Sequence, residues 1–147
     1  MVIVSGCLLG IHCKYNGGNN LSEKVLARYR TQGILPLCPE QLGGLTTPRV
    51  PAEIVGGAGQ QVLEGQARVM TADETDVTEA FIRGAEETLA TAKIFQVEKA
   101  ILKACSPSCG AGTIYDGSFS GKMISGDGVT TALLKAHGIE VITEKDL

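Results

Sequence analysis

At 147 residues the chain is long enough for one domain and short for two. Thirteen basic residues against sixteen acidic ones, a net charge of −3 and no Trp leave neither the cationic surface a polyanion requires nor the aromatic platforms used on single strands. No run reaches transmembrane length and the N-terminus lacks a basic leader pattern, so a cytoplasmic protein with no membrane partner is expected. Nucleic acid is disfavoured as a partner, whereas a free base or nucleoside stays open.

Residues 1–9 are apolar and predict a buried parallel strand, followed by a polar, Gly-rich loop through Asn20. A helix over 22–31 is predicted from Ser22 as N-cap, from Val25, Leu26 and Tyr29 on one face, and from Gly33 beyond its end. Ile34 to Leu37 forms a second strand closing at Cys38-Pro39-Glu40. Residues 41–72 are rich in Gly and Pro, and Val62 to Met70 is expected to pair with 53–55 as a hairpin. Asp76-x-x-Glu79 has the spacing of a capping box, and Val77, Phe81, Ala85, Leu89 and Ala92 stripe the long helix behind it. Lys99 to Ala104 predicts a third strand, 105–127 a long loop, Val129 to His137 a helix with Gly138 at its end, and Ile139 to Thr143 a last strand. The fold class expected is α/β: one domain over 1–147 with an open, mostly parallel, Rossmann-like sheet flanked by helices and a small β-hairpin insertion.

Three of these strands end in cysteine-bearing turns: Cys7 after the first, Cys38 after the second, and Cys105 with Cys109 after the third. In open α/β sheets ligands bind beyond the carboxyl ends of the strands, so these thiols are expected to converge. An isolated Cys usually acts as a small hydrophobe, but three at matching strand ends, each beside Gly or Pro, point to a site. An odd number of five cysteines also favours metal or catalytic use over a disulfide framework. Thiolates suit zinc or an iron–sulfur cluster; C-x3-C at 105–109 is the only approach to a zinc knuckle, and the ferredoxin run is absent. Cys105 continues its strand and reads as structural. Cys13 is open as a fourth ligand, a spare thiol or neither.

Polar groups lie near the same turns. Glu40 reads either as a solvated turn carboxylate or, beside a dry cluster, as a general acid or base with a raised pKa. Ser106 and Ser108 are turn hydroxyls or substrate contacts, and Arg49 is a substrate clamp or the partner of Glu53. His12 reads as a loop surface group, and His137 as a charge at a helix's C-terminal end. No phosphate-cradling glycine motif occurs in a strand-to-helix context.

Ser5-Gly6-Cys7-Leu8-Leu9-Gly10…Cys13-Lys14-Tyr15-Asn16-Gly17, Cys38-Pro39-Glu40…Gly43-Gly44-Leu45…Pro48-Arg49…Pro51-Ala52-Glu53 and Ser106-Pro107-Ser108-Cys109-Gly110…Ile114-Tyr115-Asp116-Gly117 together resemble the thiouracil desulfidase (TudS) family over nearly the whole chain. Departures are small: Gly6 for Ala, Lys14 for Arg, and Cys105 outside the pattern. The resemblance implies a [4Fe-4S] cluster on Cys7, Cys38 and Cys109 with one iron left open. It implies a C–S hydrolase or lyase that converts thiouracil to uracil and sulfide without redox change, the substrate sulfur binding the open iron. Glu40 would then assist an attacking water, Ser106 would orient substrate or relay a proton, and Ser108 and Arg49 would bind substrate. Desulfuration of 4-thiouridine in tRNA and a non-catalytic metal- or cluster-binding role are the alternatives.

Overall fold

A computed structural model describes all 147 residues. In chain order the elements are β1 (Val2–Ser5), α1 (Glu23–Tyr29), β2 (Ile34–Leu37), α2 (Pro39–Leu42), β3 (Ala52–Val55), α3 (Gly59–Leu63), β4 (Arg68–Thr71), α4 (Thr78–Ile94), β5 (Lys99–Leu102), β6 (Thr113–Tyr115), β7 (Met123–Ser125), α5 (Val129–Ala136) and β8 (Glu140–Thr143). No helix is long and apolar enough to cross a membrane.

Four strands form a wholly parallel sheet in the order β2-β1-β5-β8. Alternation along each strand sends side chains to two cores. Val2, Val4 and Ile101 pack with Val25 and Tyr29 of α1 on one face. On the other, Ile3, Ala100 and Leu102 meet Leu89 and Ala92 of α4 and Leu134 of α5. Pro36 is tolerated because β2 is an edge strand and its missing N–H breaks no inner ladder. The chain leaves β1 toward β2 but leaves β5 toward β8, in opposite directions. The connections therefore part between β1 and β5, and a crevice opens beyond their carboxyl ends.

A third core stands beside the sheet. Phe81 and Ala85 of α4 pack with Ile54, Val69, Val62 and Ile114, which come from two antiparallel hairpins, β3–β4 and β6–β7, and from α3. Helices α2 and α4 meet backbone to backbone: a Cβ on Gly43 would sit 2.0 Å from the Ala80 carbonyl oxygen, and one on Gly84 would sit 2.0 Å from that of Pro39. Only glycine permits this approach, and it fixes the turn that follows Cys38 against the long helix.

Three local expectations change. The insertion pairs 52–55 with 68–71, and Gly59–Leu63 is helical, so only the end of the predicted 62–70 strand exists. The loop over 105–127 contains the β6–β7 hairpin, whose three-residue strands are too short to show a period. There is no Asp76–Glu79 capping box: Val77 is the N-cap of α4, and the Asp76 carboxylate accepts the Thr78 N–H at 2.9 Å.

Candidate active site at the carboxyl edge of the sheet

A cavity of about 560 Å³ opens beyond the ends of β1, β2 and β5. Cys7, Cys38 and Cys109 line it, as do Glu40, Arg49 and Ser106, so six of the seven predicted site residues meet there. Cys7 lies in a 3₁₀ turn that directly continues β1. Cys38 is the N-cap of α2, with Pro39 at the first helical position, where its missing N–H costs nothing. Cys109 sits in the loop after β5, and that loop supplies the start of α5 with acceptors. The Val129 and Thr130 N–H groups donate to the Pro107 and Ser108 carbonyls, and the Thr131 hydroxyl donates to the Cys109 carbonyl. The loop thereby satisfies helix-end donors that would otherwise lack partners.

Ser108 is the exception. Its hydroxyl is buried, pairs with Thr130 Oγ1 at 2.8 Å, and does not line the cavity, so the expected substrate contact gives way to a loop-to-helix tie. Ser106 faces the cavity instead. Its Oγ accepts the N–H groups of Ser108 (3.1 Å) and Cys109 (3.0 Å), which leaves its own proton free to donate elsewhere.

The thiols have unequal environments. Cys13, only 2% exposed, packs beside Cys7 and Cys38, and keeping its proton for those neighbouring sulfurs, together with burial, pushes its own pKa far up. Cys7 is lowered to about 7, first by Cys13 and then by Asn20, against the cost of burial. Cys38 is lowered to about 6, again chiefly by Cys13, with help from the Gln41 N–H and the Arg49 charge. Cys109 is raised, mainly by burial and further by the charges of Cys38, Glu40 and Cys7. The buried Ser5 hydroxyl, 3.7 Å from its sulfur, opposes this only weakly.

Arg49 pairs with Glu40, not with Glu53. Its Nε donates to Glu40 Oε1 at 3.0 Å, while its other nitrogens reach the Thr46 and Cys13 carbonyls and Thr47 Oγ1. One guanidinium nitrogen is 3.9 Å from the Cys38 sulfur. Burial raises the Glu40 pKa, partly offset by the charge and hydrogen bond of Arg49. Glu53 serves the hairpin: its Oε1 accepts the N–H groups of Gly117 and Phe119. His12 shows no side-chain partner, and His137 Nδ1 sits 3.1 Å from the Leu133 carbonyl at the end of α5.

Sequence reasoning overlooked Ser5, which ties β1 to Lys103 N (3.0 Å) and reaches Cys109, and it left Cys13 undecided. A Ser two residues before a strand-end Cys was the available signal. No three His, Cys, Asp or Glu side chains converge as a single ion requires. A mononuclear zinc site would hold its donors about 2.0–2.3 Å from one centre. Three cavity-lining thiols without a shared single-ion centre suit, by the chemistry of the donor set, a polynuclear cluster, whose irons each take one sulfur.

Comparison with known proteins places the chain among iron–sulfur relatives. Residues 2–146 match the family model described as 2-thiouracil desulfurase. The uncharacterized protein YbbK of Bacillus subtilis (strain 168) is 52% identical over 147 residues, spanning 100% of this chain and 97% of that protein. The solved structure of the [4Fe-4S]-dependent thiouracil desulfidase TudS is similar with a TM-score of 0.85 at 42% identity, covering 99% of this chain and 91% of that one. With its fold matched along its length and its sequence matched from residue 2 to 146, the chain belongs to the 2-thiouracil desulfurase family.

Proposed function

We propose that this protein is a [4Fe-4S]-dependent desulfidase that replaces the sulfur of a free thiouracil with oxygen from water, yielding uracil and sulfide without net redox change. The observation that carries the reading is the convergence of Cys7, Cys38 and Cys109, from three separate strand ends, on one cavity that Glu40 and Ser106 also line. These three thiols would hold the cluster. With three protein ligands the cluster would supply one open iron, a Lewis acid suited to a soft thiocarbonyl sulfur.

The chain's own groups supply the rest. Arg49 occupies Glu40 Oε1, so Oε2 is the atom that exchanges a proton with the attacking water. Burial keeps that carboxyl more basic than a solvated one, which suits it to accept this proton and return it later. Ser106, whose oxygen is already engaged by two backbone N–H groups, donates its proton toward a polar atom of the bound base. Arg49 holds Glu40 in place and is shared with the turn carrying Cys13, so it binds the site together more than it clamps substrate.

The net charge of −3 favours a free base over thiolated tRNA. Anaerobically reconstituted protein should release one sulfide per thiouracil consumed, and thiolated tRNA offered in parallel should release little. A reconstituted protein that carries its cluster and desulfurates only tRNA would overturn the substrate assignment. One that desulfurates neither would overturn the activity.

A further inference from the structure

Aromatic side chains are scarce in this chain, yet of its three Tyr and three Phe residues, Tyr15, Tyr115 and Phe119 line the cavity. Phe119 is the unusual one. It lies in the segment between β6 and β7 with φ +54, a left-handed conformation that a bulky side chain rarely adopts. It belongs to none of the three hydrophobic cores and is 39% exposed, so packing does not repay that conformation.

Something holds it there. Glu53, 9% exposed on β3, accepts with one oxygen the N–H of Gly117 (2.9 Å) and that of Phe119 (3.2 Å). Gly117, at φ +93, presses so close that a Cβ would stand 2.5 Å from the Ile54 carbonyl oxygen. A buried carboxylate and a tight glycine contact thus fasten the segment to β3 and set an aromatic ring at the exposed margin of the cavity.

We propose that Phe119 is the stacking platform for the flat heterocycle, and that Glu53 is a positioning residue that presents it. This rests on the function proposed above and adds to it the residue that captures the base before chemistry. Stacking acts on the ring face and is equally available to substrate and transition state, so its loss should appear in KM and leave kcat little changed.

The test is steady-state sulfide release from thiouracil by reconstituted wild type and by Phe119→Ala, Phe119→Tyr, Glu53→Ala and Glu53→Gln, together with calorimetric binding of uracil. Phe119→Ala should raise KM about tenfold and weaken uracil binding in step, as expected for loss of one base–aromatic stack. Phe119→Tyr should restore both. Glu53→Ala should reproduce the KM rise, Glu53→Gln should restore most of it by retaining an acceptor oxygen, and Phe119→Ala combined with Glu53→Ala should be no worse than either alone. Unchanged KM and uracil affinity in Phe119→Ala, with an active wild type, would overturn this assignment and leave the desulfidase reading intact. An inactive wild type would overturn that reading itself.

Discussion

The carboxyl edge of the parallel sheet and the paired hairpins beside it form one cavity by different physical means. The edge rests on the buried central strands β1 and β5, with Cys7 placed directly by β1, Cys38 by the packing of α2 against α4, and Cys109 by a loop tied to the start of α5. The hairpins have short strands and turns at left-handed glycines, and they reach the cavity through individual tethers such as Glu53. Under the proposed function, the chemistry would sit on the sheet edge and recognition of the base on the hairpins. Changes at the edge should therefore abolish turnover, and changes in the hairpins should grade it.

The largest effect is expected at the edge. Cys109→Ala should eliminate sulfide release and bleach the visible absorbance of the anaerobically purified protein; retained absorbance and turnover would break the division at its centre. Next comes the junction that fixes Cys38 and Glu40. Gly→Ala within a helix ordinarily stabilises by about 1 kcal/mol, but a Cβ on Gly84 would stand 2.0 Å from the Pro39 carbonyl. Gly84→Ala should instead destabilise by about 3 kcal/mol, a fall of roughly 10 °C in Tm, and should also depress kcat by displacing Glu40. Thermal melting beside kinetics reads both.

A hairpin change should be milder and of another kind. Gly117→Ala meets both a left-handed φ and the Ile54 carbonyl, so about 1–2 kcal/mol of stability should be lost. KM should rise while kcat stays near wild type, and the visible spectrum should be unchanged. Farthest from the cavity, Asp76→Ala should cost about 1 kcal/mol by removing the acceptor of the Thr78 N–H. The folded-state pKa of Asp76 is depressed, chiefly by its hydrogen bond to the Thr78 side chain. Its contribution is therefore complete above the unfolded carboxylate pKa and fades as pH falls through the lower folded value. Denaturation of wild type and variant should converge in acid and separate toward neutrality.

The same division explains what could be read from the sequence. Strands β1, β2, β5 and β8 are apolar runs bounded by turns, and α4 and α5 carry clear stripes. Their order fixed the meeting of Cys7, Cys38 and Cys109, because the carboxyl ends of parallel neighbours must lie together. The hairpins were less legible. Thr113-Ile114-Tyr115 is too short for a period, and α3 is hidden in a Gly-rich stretch whose helical state depends on Val62 reaching the third core. Arg49 lies four residues from Glu53 but pairs with Glu40, because the chain folds the 46–49 turn back onto α2. Ser106 and Ser108 are separated by one proline, and only the position of α5 decides that Ser108 faces Thr130 and not the cavity. Cys13 illustrates the same point: its spacing from Cys7 does not reveal that it packs beside both Cys7 and Cys38.

If Cys7, Cys38 and Cys109 hold the cluster on which sulfur removal depends, sulfide release from thiouracil under anaerobic conditions should follow the cluster when one preparation is measured before and after it is stripped and then rebuilt. Activity should disappear with the cluster and return in proportion to the iron restored. Full activity in the cluster-free protein would contradict that dependence.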